Sequence, residues 1–172
     1  MSRLAVVLAL ALSACAGRPP AVSEGAAPLE GSRQTPRAQP PDQALFEGDR
    51  DQIVMTAFAQ VGKPYLYGGN GPEAFDCSGL VRFAYLAGGA RTPRTTATLY
   101  VAGQSIAADD ARPGDLFFYR LDPGREGPSH VVLYLGDGEG IHAPSSGGAI
   151  RAVRLGIPYF TQRFVGARRL LR

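Results

Sequence analysis

The chain has no tryptophan, and cysteine and histidine occur only twice each, as Cys15, Cys77, His130 and His142. Two thiols leave no scope for the dense disulfide framework that staples many small exported domains. No basic stripe interleaved with aromatics is present, so the net charge of +3 carries no nucleic-acid footprint and no nucleic-acid partner is expected. Long hydrophobic runs are missing too: Leu4 to Leu12 is well short of the roughly twenty apolar residues that a membrane-spanning helix needs. No internal repeat is visible. What remains is a chain of 172 residues, enough for one ordinary domain with some left over, whose composition is globular except that its fourteen prolines crowd toward the N-terminus.

That N-terminal part divides in two. Residues 1–14 read as an export signal, with a positive charge at Arg3, the apolar run, and small residues ahead of Cys15. Leu12-Ser13-Ala14-Cys15 resembles the bacterial lipobox, in which the cysteine becomes the lipidated first residue; the alternative is an ordinary secretory signal with a chance cysteine. Each buried methylene contributes about 0.8 kcal/mol, so several acyl chains on Cys15 would hold the protein durably to a membrane. Ala16, rather than aspartate, follows the cysteine. By resemblance to Gram-negative sorting rules, this implies a periplasmic protein anchored to the inner leaflet of the outer membrane. Residues 15–44 are rich in Pro, Ala, Gly, Ser and Gln and lack apolar periodicity, so they cannot bury enough surface to offset their ordering entropy. They are expected to form a tether. If Cys15 is consumed by processing, Cys77 is a lone and therefore reactive thiol in an exported protein.

The folded domain is expected over residues 45–172. Asp49 or Asp51 can cap a helix with Ile53, Val54, Ala57, Phe58 and Val61 on one face, ended by Gly62 and Pro64. A glycine-rich loop over residues 65–72 allows close backbone approach to a bound group. A second helix begins at Cys77, turns Leu80, Val81, Ala84 and Tyr85 inward and stops at Gly88-Gly89. A third, short one is entered through residues 92–96 and ends near Gly103. The period then changes to short β-branched or aromatic runs at 116–119, 130–135, 140–143, 149–153 and 164–170, with a hairpin turn over 136–140. Helices before strands predict an α+β domain, with N-terminal helices packed on one side of an antiparallel sheet.

The chemistry gathers around Cys77. Asp76 is a good N-cap, which puts Cys77 at the first helical position, where the aligned peptide dipoles favour thiolate over a thiol of ordinary pKa about 8.5. The negative charge of Asp76 pulls the other way, so a cationic partner is needed. His130 opens an apolar strand and His142 lies in the next one, and a hairpin between them makes the two neighbours. In that arrangement His130 takes the thiol proton, giving a thiolate and imidazolium pair, and returns it to a leaving amine. His142 fixes the tautomer and ring plane of His130. The Cys77 backbone N–H is a candidate oxyanion donor, and Tyr65 a candidate for the second.

Gly62-Lys63-Pro64-Tyr65, Gly68-Gly69, Asp76-Cys77-Ser78-Gly79-Leu80-Val81, Pro93-Arg94-Thr95, Arg112-Pro113-Gly114-Asp115-Leu116, Ser129-His130-Val131 and Ile141-His142-Ala143 together resemble the NlpC family of bacterial cell-wall cysteine peptidases, in family order from about Asp51 to the C-terminus. The resemblance implies a papain-like fold and cleavage of peptidoglycan stem peptides, usually between D-glutamate and diaminopimelate. It implies Cys77 as nucleophile, His130 as base, His142 as orienting residue, Tyr65 as an oxyanion or substrate contact, and Asp76 and Ser78 on the amino-terminal side of the substrate. Two departures bear on substrate preference: Tyr67 stands where the family commonly has tryptophan, and residues 121–128 form a long polar insertion at the rim of the cleft.

Other readings stay open at this stage. Cys77, both histidines and Asp76 could ligate zinc, although the spacing matches no common finger; the expectation is no metal and no cofactor. Arg94 can meet a substrate carboxylate, or form an internal salt bridge or a bond to a loop carbonyl. Asp115 reads as a turn residue, and Arg163, Arg168, Arg169 and Arg172 read mainly as solvated charges. The competing functions are a catalytically silent wall-binding module and an amidase, transglutaminase or acyltransferase of the same fold. A monomer is expected.

Overall fold

In the computed structural model, residues 46–145 and 147–172 are described. The expected signal segment 1–14, Cys15 and the expected tether 15–44 lie outside the described residues. Helix α1 (Arg50–Phe58) starts where the Asp49 carboxylate accepts the Gln52 N–H at 3.0 Å. Ile53 and Ala57, one turn apart, are buried. The expected face does not extend further: Phe58 and Val61 are 54% and 46% exposed. Phe58 lies about 140° around the helix from Ile53, and Val61 falls after the helix has ended. Helix α2 (Cys77–Ala87) is capped by Asp76, buries Leu80, Val81, Ala84 and Tyr85, and ends at Gly88. Helix α3 (Thr96–Ala102) carries a capping box in which Thr95 and Thr98 bond reciprocally.

Six strands follow: β1 (Gln104–Ile106), β2 (Leu116–Tyr119), β3 (His130–Gly136), β4 (Glu139–His142), β5 (Arg151–Arg154) and β6 (Phe164–Arg169). They lie in the order β1-β6-β2-β3-β4-β5, with every neighbouring pair antiparallel. The β3–β4 hairpin turns on Asp137 and Gly138, both at positive φ (51° and 73°), the two-residue geometry whose twist suits paired strands. Strand β1 was not expected, because Gln104-Ser105-Ile106 has no apolar pattern and its pairing comes from β6. Strand β5 begins two residues later than its apolar run.

Central strand β2 is buried on both faces. Leu116 and Phe118 join Val131, Leu133 and Ile141 in the core beneath the N-terminal helices. Phe117 and Tyr119 join Val132 and Ala167 on the opposite face, where Leu155 and Phe160 pack over them. Helices on one side therefore describes α1 to α3 only. A short helix unforeseen in the sequence, α4 (Pro158–Thr161), brings Phe160 to the other side.

The C-terminal arginines are not merely solvated. Strand β6 runs between β1 and β2, so its side chains meet neighbours: Arg169 binds Asp115 at 2.7 Å and Arg168 stacks on the Tyr100 ring at 3.7 Å. Arg163 lies over the Tyr159 ring at 4.7 Å, and only Arg172 forms an exposed pair, with Glu47 at 3.4 Å. Asp115 does hold a turn, accepting the Arg112 N–H at 2.9 Å, but it is fully buried and also pairs with Arg50 of α1 at 3.1 Å. One carboxylate thus joins α1, β6 and the start of β2. Asp115→Ala leaves two guanidinium groups without their shared counter-charge. We expect a loss of about 3–5 kcal/mol in urea unfolding; a loss below about 1 kcal/mol would show that these groups are solvated in the native state.

Candidate active site

A groove of about 520 Å³ runs over the N-terminus of α2, lined by Tyr65, Tyr67, Asp76, Cys77, Ser78 and Thr96 among others. The glycine loop approaches α2 closely. A Cβ on Gly79 would overlap the carbonyl oxygen of Gly69, and that carbonyl accepts the Asp76 N–H at 3.0 Å. Only glycine lets the first turn of α2 sit against this loop.

The Asp76 carboxylate is taken up internally. Oδ1 accepts from Gly79 N at 2.6 Å, Ser78 Oγ at 3.1 Å and Arg94 Nη1 at 3.1 Å; Oδ2 accepts from Gly68 N at 3.1 Å and Arg94 Nη2 at 2.7 Å. Arg94 also donates to Ser78 Oγ at 2.9 Å, and its own pKa is raised, chiefly by the hydrogen bonds to Asp76. Of the two roles open to Arg94, the structure fills the internal one. Asp76 and Ser78 line the groove, yet their polar atoms bond within the protein. A zinc site would need Asp76 as its fourth ligand, and that carboxylate is held by Arg94.

Cys77 is partly buried, and its Sγ lies 3.5 Å from Thr96 Oγ1. Burial pushes the thiol pKa up; bonds from Thr96 and from the Val131 and Ser78 amides work against this, and the charge of Asp76 adds to it. The Val131 amide directly follows His130 in the chain, so the sulfur sits at the head of β3. No hydrogen bond joins Sγ to a His130 nitrogen among the described residues, which is common before substrate tightens a site. The two histidines are in contact, with His130 Nε2 and His142 Nδ1 at 2.8 Å and their rings nearly perpendicular at 85°. Burial first, then the neighbouring His142, holds His130 well below the ordinary histidine value. Burial first, then the charge of Arg151, does the same to His142.

A thiolate and imidazolium pair at rest, expected from the sequence, is thus opposed by burial on both partners. Because Nε2 of His130 faces His142, Nδ1 is the nitrogen left free to receive a proton. Tyr65 lines the groove with its pKa raised, by burial first and then by Cys77, Asp76 and Tyr67, so its hydroxyl stays a donor. Several lining residues were not singled out from the sequence, Thr96, Arg125 and Ser145 among them. Thr96 was read only as part of the approach to a helix. Arg125 belongs to the polar insertion at 121–128, which does reach the groove. Ser145 carried no signal.

The profile of the NlpC/P60 family matches residues 62–169. The chain is 44% identical over 116 residues to the probable endopeptidase YafL of Escherichia coli, covering 65% of this chain and 46% of that protein. It is 32% identical over 123 residues to the gamma-D-glutamyl-L-lysine dipeptidyl-peptidase of Bacillus subtilis, covering 72% and 42%. An NlpC/P60 family crystal structure from Bacillus cereus superposes with a TM-score of 0.68 at 30% identity, covering 73% of this chain and 41% of that one. The match thus spans less than half the length of these curated relatives.

Charging either buried ring is costly in the folded chain, whereas unfolded histidines take up protons near pH 6.5. Below that value the folded chain binds fewer protons than the unfolded one, so stability falls as pH drops through about 6.5, until the folded rings themselves protonate. His142→Gln removes one such group. Its denaturation midpoint should therefore decline less between about pH 7 and about pH 5 than that of the native chain; equal declines would show that His142 is freely protonated in the fold.

Proposed function

Because the chain belongs to the NlpC/P60 family, we propose that it is a cysteine peptidase that hydrolyses peptidoglycan stem peptides, cutting between D-glutamate and diaminopimelate. The observation that carries this reading is the 2.8 Å contact between His130 Nε2 and His142 Nδ1 at the head of β3, where the Cys77 sulfur also lies. The B. subtilis relative bears the name of an enzyme acting on a gamma-D-glutamyl bond, which supports the choice of bond.

Cys77 is the nucleophile. With a proton on His130 Nε2 donated to His142 Nδ1, His130 Nδ1 carries a lone pair and takes the thiol proton as the carbon–sulfur bond forms. The first amides of α2 have no intrahelical partner, so Cys77 N–H is available to the oxyanion, and the protonated Tyr65 hydroxyl is the second donor. His130 gives its proton to the leaving amine, leaving an acyl group on sulfur. Water then attacks the thioester with His130 again as base, releasing the acid and the thiol. Asp76 and Ser78 shape the amino-terminal side of the groove, and Arg94 holds them there.

The same proposal places the protein in the periplasm as a monomer, with Cys15 lipidated and residues 15–44 reaching from the inner leaflet of the outer membrane. Its support is the lipobox-like Leu12-Ser13-Ala14-Cys15 and the Pro- and Gly-rich composition that follows.

Cys77→Ala should reduce cleavage of purified sacculi by on the order of a thousandfold or more, with an unchanged thermal transition. Mass spectrometry of the native digest should show new diaminopimelate amino ends. Residual cleavage in the variant within tenfold of native, roughly, would remove Cys77 from the chemistry. Cys15→Ser should move the protein from the membrane to the soluble fraction with muropeptide cleavage retained; continued membrane association would refute the anchor.

A further inference from the structure

On the far side of His142 lies a second cavity, of about 370 Å³, whose wall includes His142, Ser145, Arg151, Tyr159 and Phe160. Ser145 also lines the catalytic groove, so the two spaces adjoin. His142 is only 5% exposed, and its Nε2 is buried with no hydrogen-bond partner among the described residues. Unpartnered buried polar atoms are rare and call for an acceptor or donor. Here the tautomer follows from the proposed chemistry. If His130 Nδ1 is to accept the thiol proton, His130 Nε2 must carry a hydrogen and His142 Nδ1 must accept it. His142 then carries its own hydrogen on Nε2, a buried N–H donor on a residue that lines the second cavity.

Directly opposite His142 on the neighbouring strand is Arg151. Cross-strand partners project from the same face of a sheet, so the guanidinium shares the cavity with the imidazole. Arg151 forms no ion pair with the described residues. A buried N–H and an unpaired guanidinium on one wall match a planar anion with two oxygens. Phe160, edge-on to His142 at 5.8 Å, supplies the apolar side that keeps such a contact dry.

We propose that this cavity is a carboxylate-binding site, in which one oxygen accepts from His142 Nε2–H and the guanidinium of Arg151 holds the carboxylate. Two sources share that chemistry: a carboxylate on the leaving side of the stem peptide, reaching past Ser145, or a small organic acid from solution. The first rests on the peptidase reading; the second needs only the Nε2–H tautomer of His142, which the resonance measured below reports directly. In either case the bound anion fixes the Nε2–H tautomer of His142 and offsets the positive charge of Arg151. It thereby supplies behind the pair the negative charge that a neutral orienting histidine lacks.

The test uses the full chain. In 15N-histidine-labelled Cys77→Ala protein, sodium acetate, or the leaving-side peptide with free carboxylates, should shift the His142 Nε2–H resonance, and the same peptide with its carboxylates amidated should not. Cleavage kinetics on stem peptides carrying free or amidated leaving-side carboxylates complete it. If the substrate is the source, Arg151→Gln, on an exposed edge strand, should raise KM for the free-acid peptide about tenfold more than it raises KM for the amidated one. If solution acid is the source, acetate alone shifts the resonance and Arg151→Gln abolishes that shift. The proposal is overturned if neither probe moves the His142 signal, or if Arg151→Gln responds to both as the native chain does. Native protein that cleaves no stem peptide while acetate still moves the signal would sink the peptidase reading and leave the site standing.

Discussion

Five hydrogen bonds converge on the carboxylate of Asp76, from Gly68 N, Ser78 Oγ, Gly79 N and both terminal nitrogens of Arg94. A carboxylate offers about four lone-pair directions, so this one is saturated. The consequence is mechanical as much as electrostatic. The bonds to Gly79 and Gly68 join the first turn of α2 to the glycine loop, and Arg94 brings in the chain just ahead of α3. Cys77 is the first residue of α2, so these bonds set its position relative to the loop and to Arg94. Without the carboxylate, the segments would be joined only by the bond from Asp76 N–H to the Gly69 carbonyl, by neighbouring backbone bonds, and by the contacts of Arg94 with Ser78 Oγ and the Gly69 carbonyl. The close approach of Gly79 to the Gly69 carbonyl belongs to the same constraint, since a larger residue would separate the layers that Asp76 draws together.

The same ion pair resolves a conflict visible in the sequence. An aspartate beside a nucleophilic thiol should suppress its ionisation, and the sequence-based remedy was a cation at His130. The structure supplies a different one, for Arg94 meets Asp76 at 2.7 Å and carries its full charge at any relevant pH. The offset is partial, since the charge of Asp76 still raises the Cys77 pKa. The burial of His130 disfavours a permanent imidazolium. In the proposed mechanism, charge forms on the histidine only as the sulfur bonds to carbon.

Much of this arrangement was legible in the chain, and where it was not, the reasons are physical. The cap at Asp76, the inward face of α2, the Asp137-Gly138 hairpin and the meeting of His130 with His142 follow from local rules: side-chain capping, a period of 3.6, and the φ > 0 demand of a tight turn. What escaped depends on partners distant in sequence. Thr96 is an unremarkable helix residue until folding brings it 3.5 Å from a sulfur nineteen positions away. The arginines of β6 look like a solvated tail because nothing near them in the chain says that β6 inserts between β1 and β2. Asp115 looks like a turn residue because one of its bonds is local, while the two guanidinium groups that bury it come from the opposite ends of the domain.

A histidine in the orienting position, rather than a carboxylate, has its own logic. A carboxylate behind His130 would have to be buried with a charge at all times, and a buried ion without a full set of partners costs several kcal/mol. Neutral His142 avoids that standing cost and, in the proposed mechanism, fixes the tautomer through one 2.8 Å bond. Its weakness is that it offers no negative charge when the imidazolium forms, and Arg151 on the next strand makes the local potential more positive still. A fold that keeps a neutral ring there, with its second nitrogen buried and unpartnered on a residue that lines a cavity, is suited to receiving the missing charge from outside the polypeptide. Occupancy of the cavity and competence of the base would then be two readings of one equilibrium.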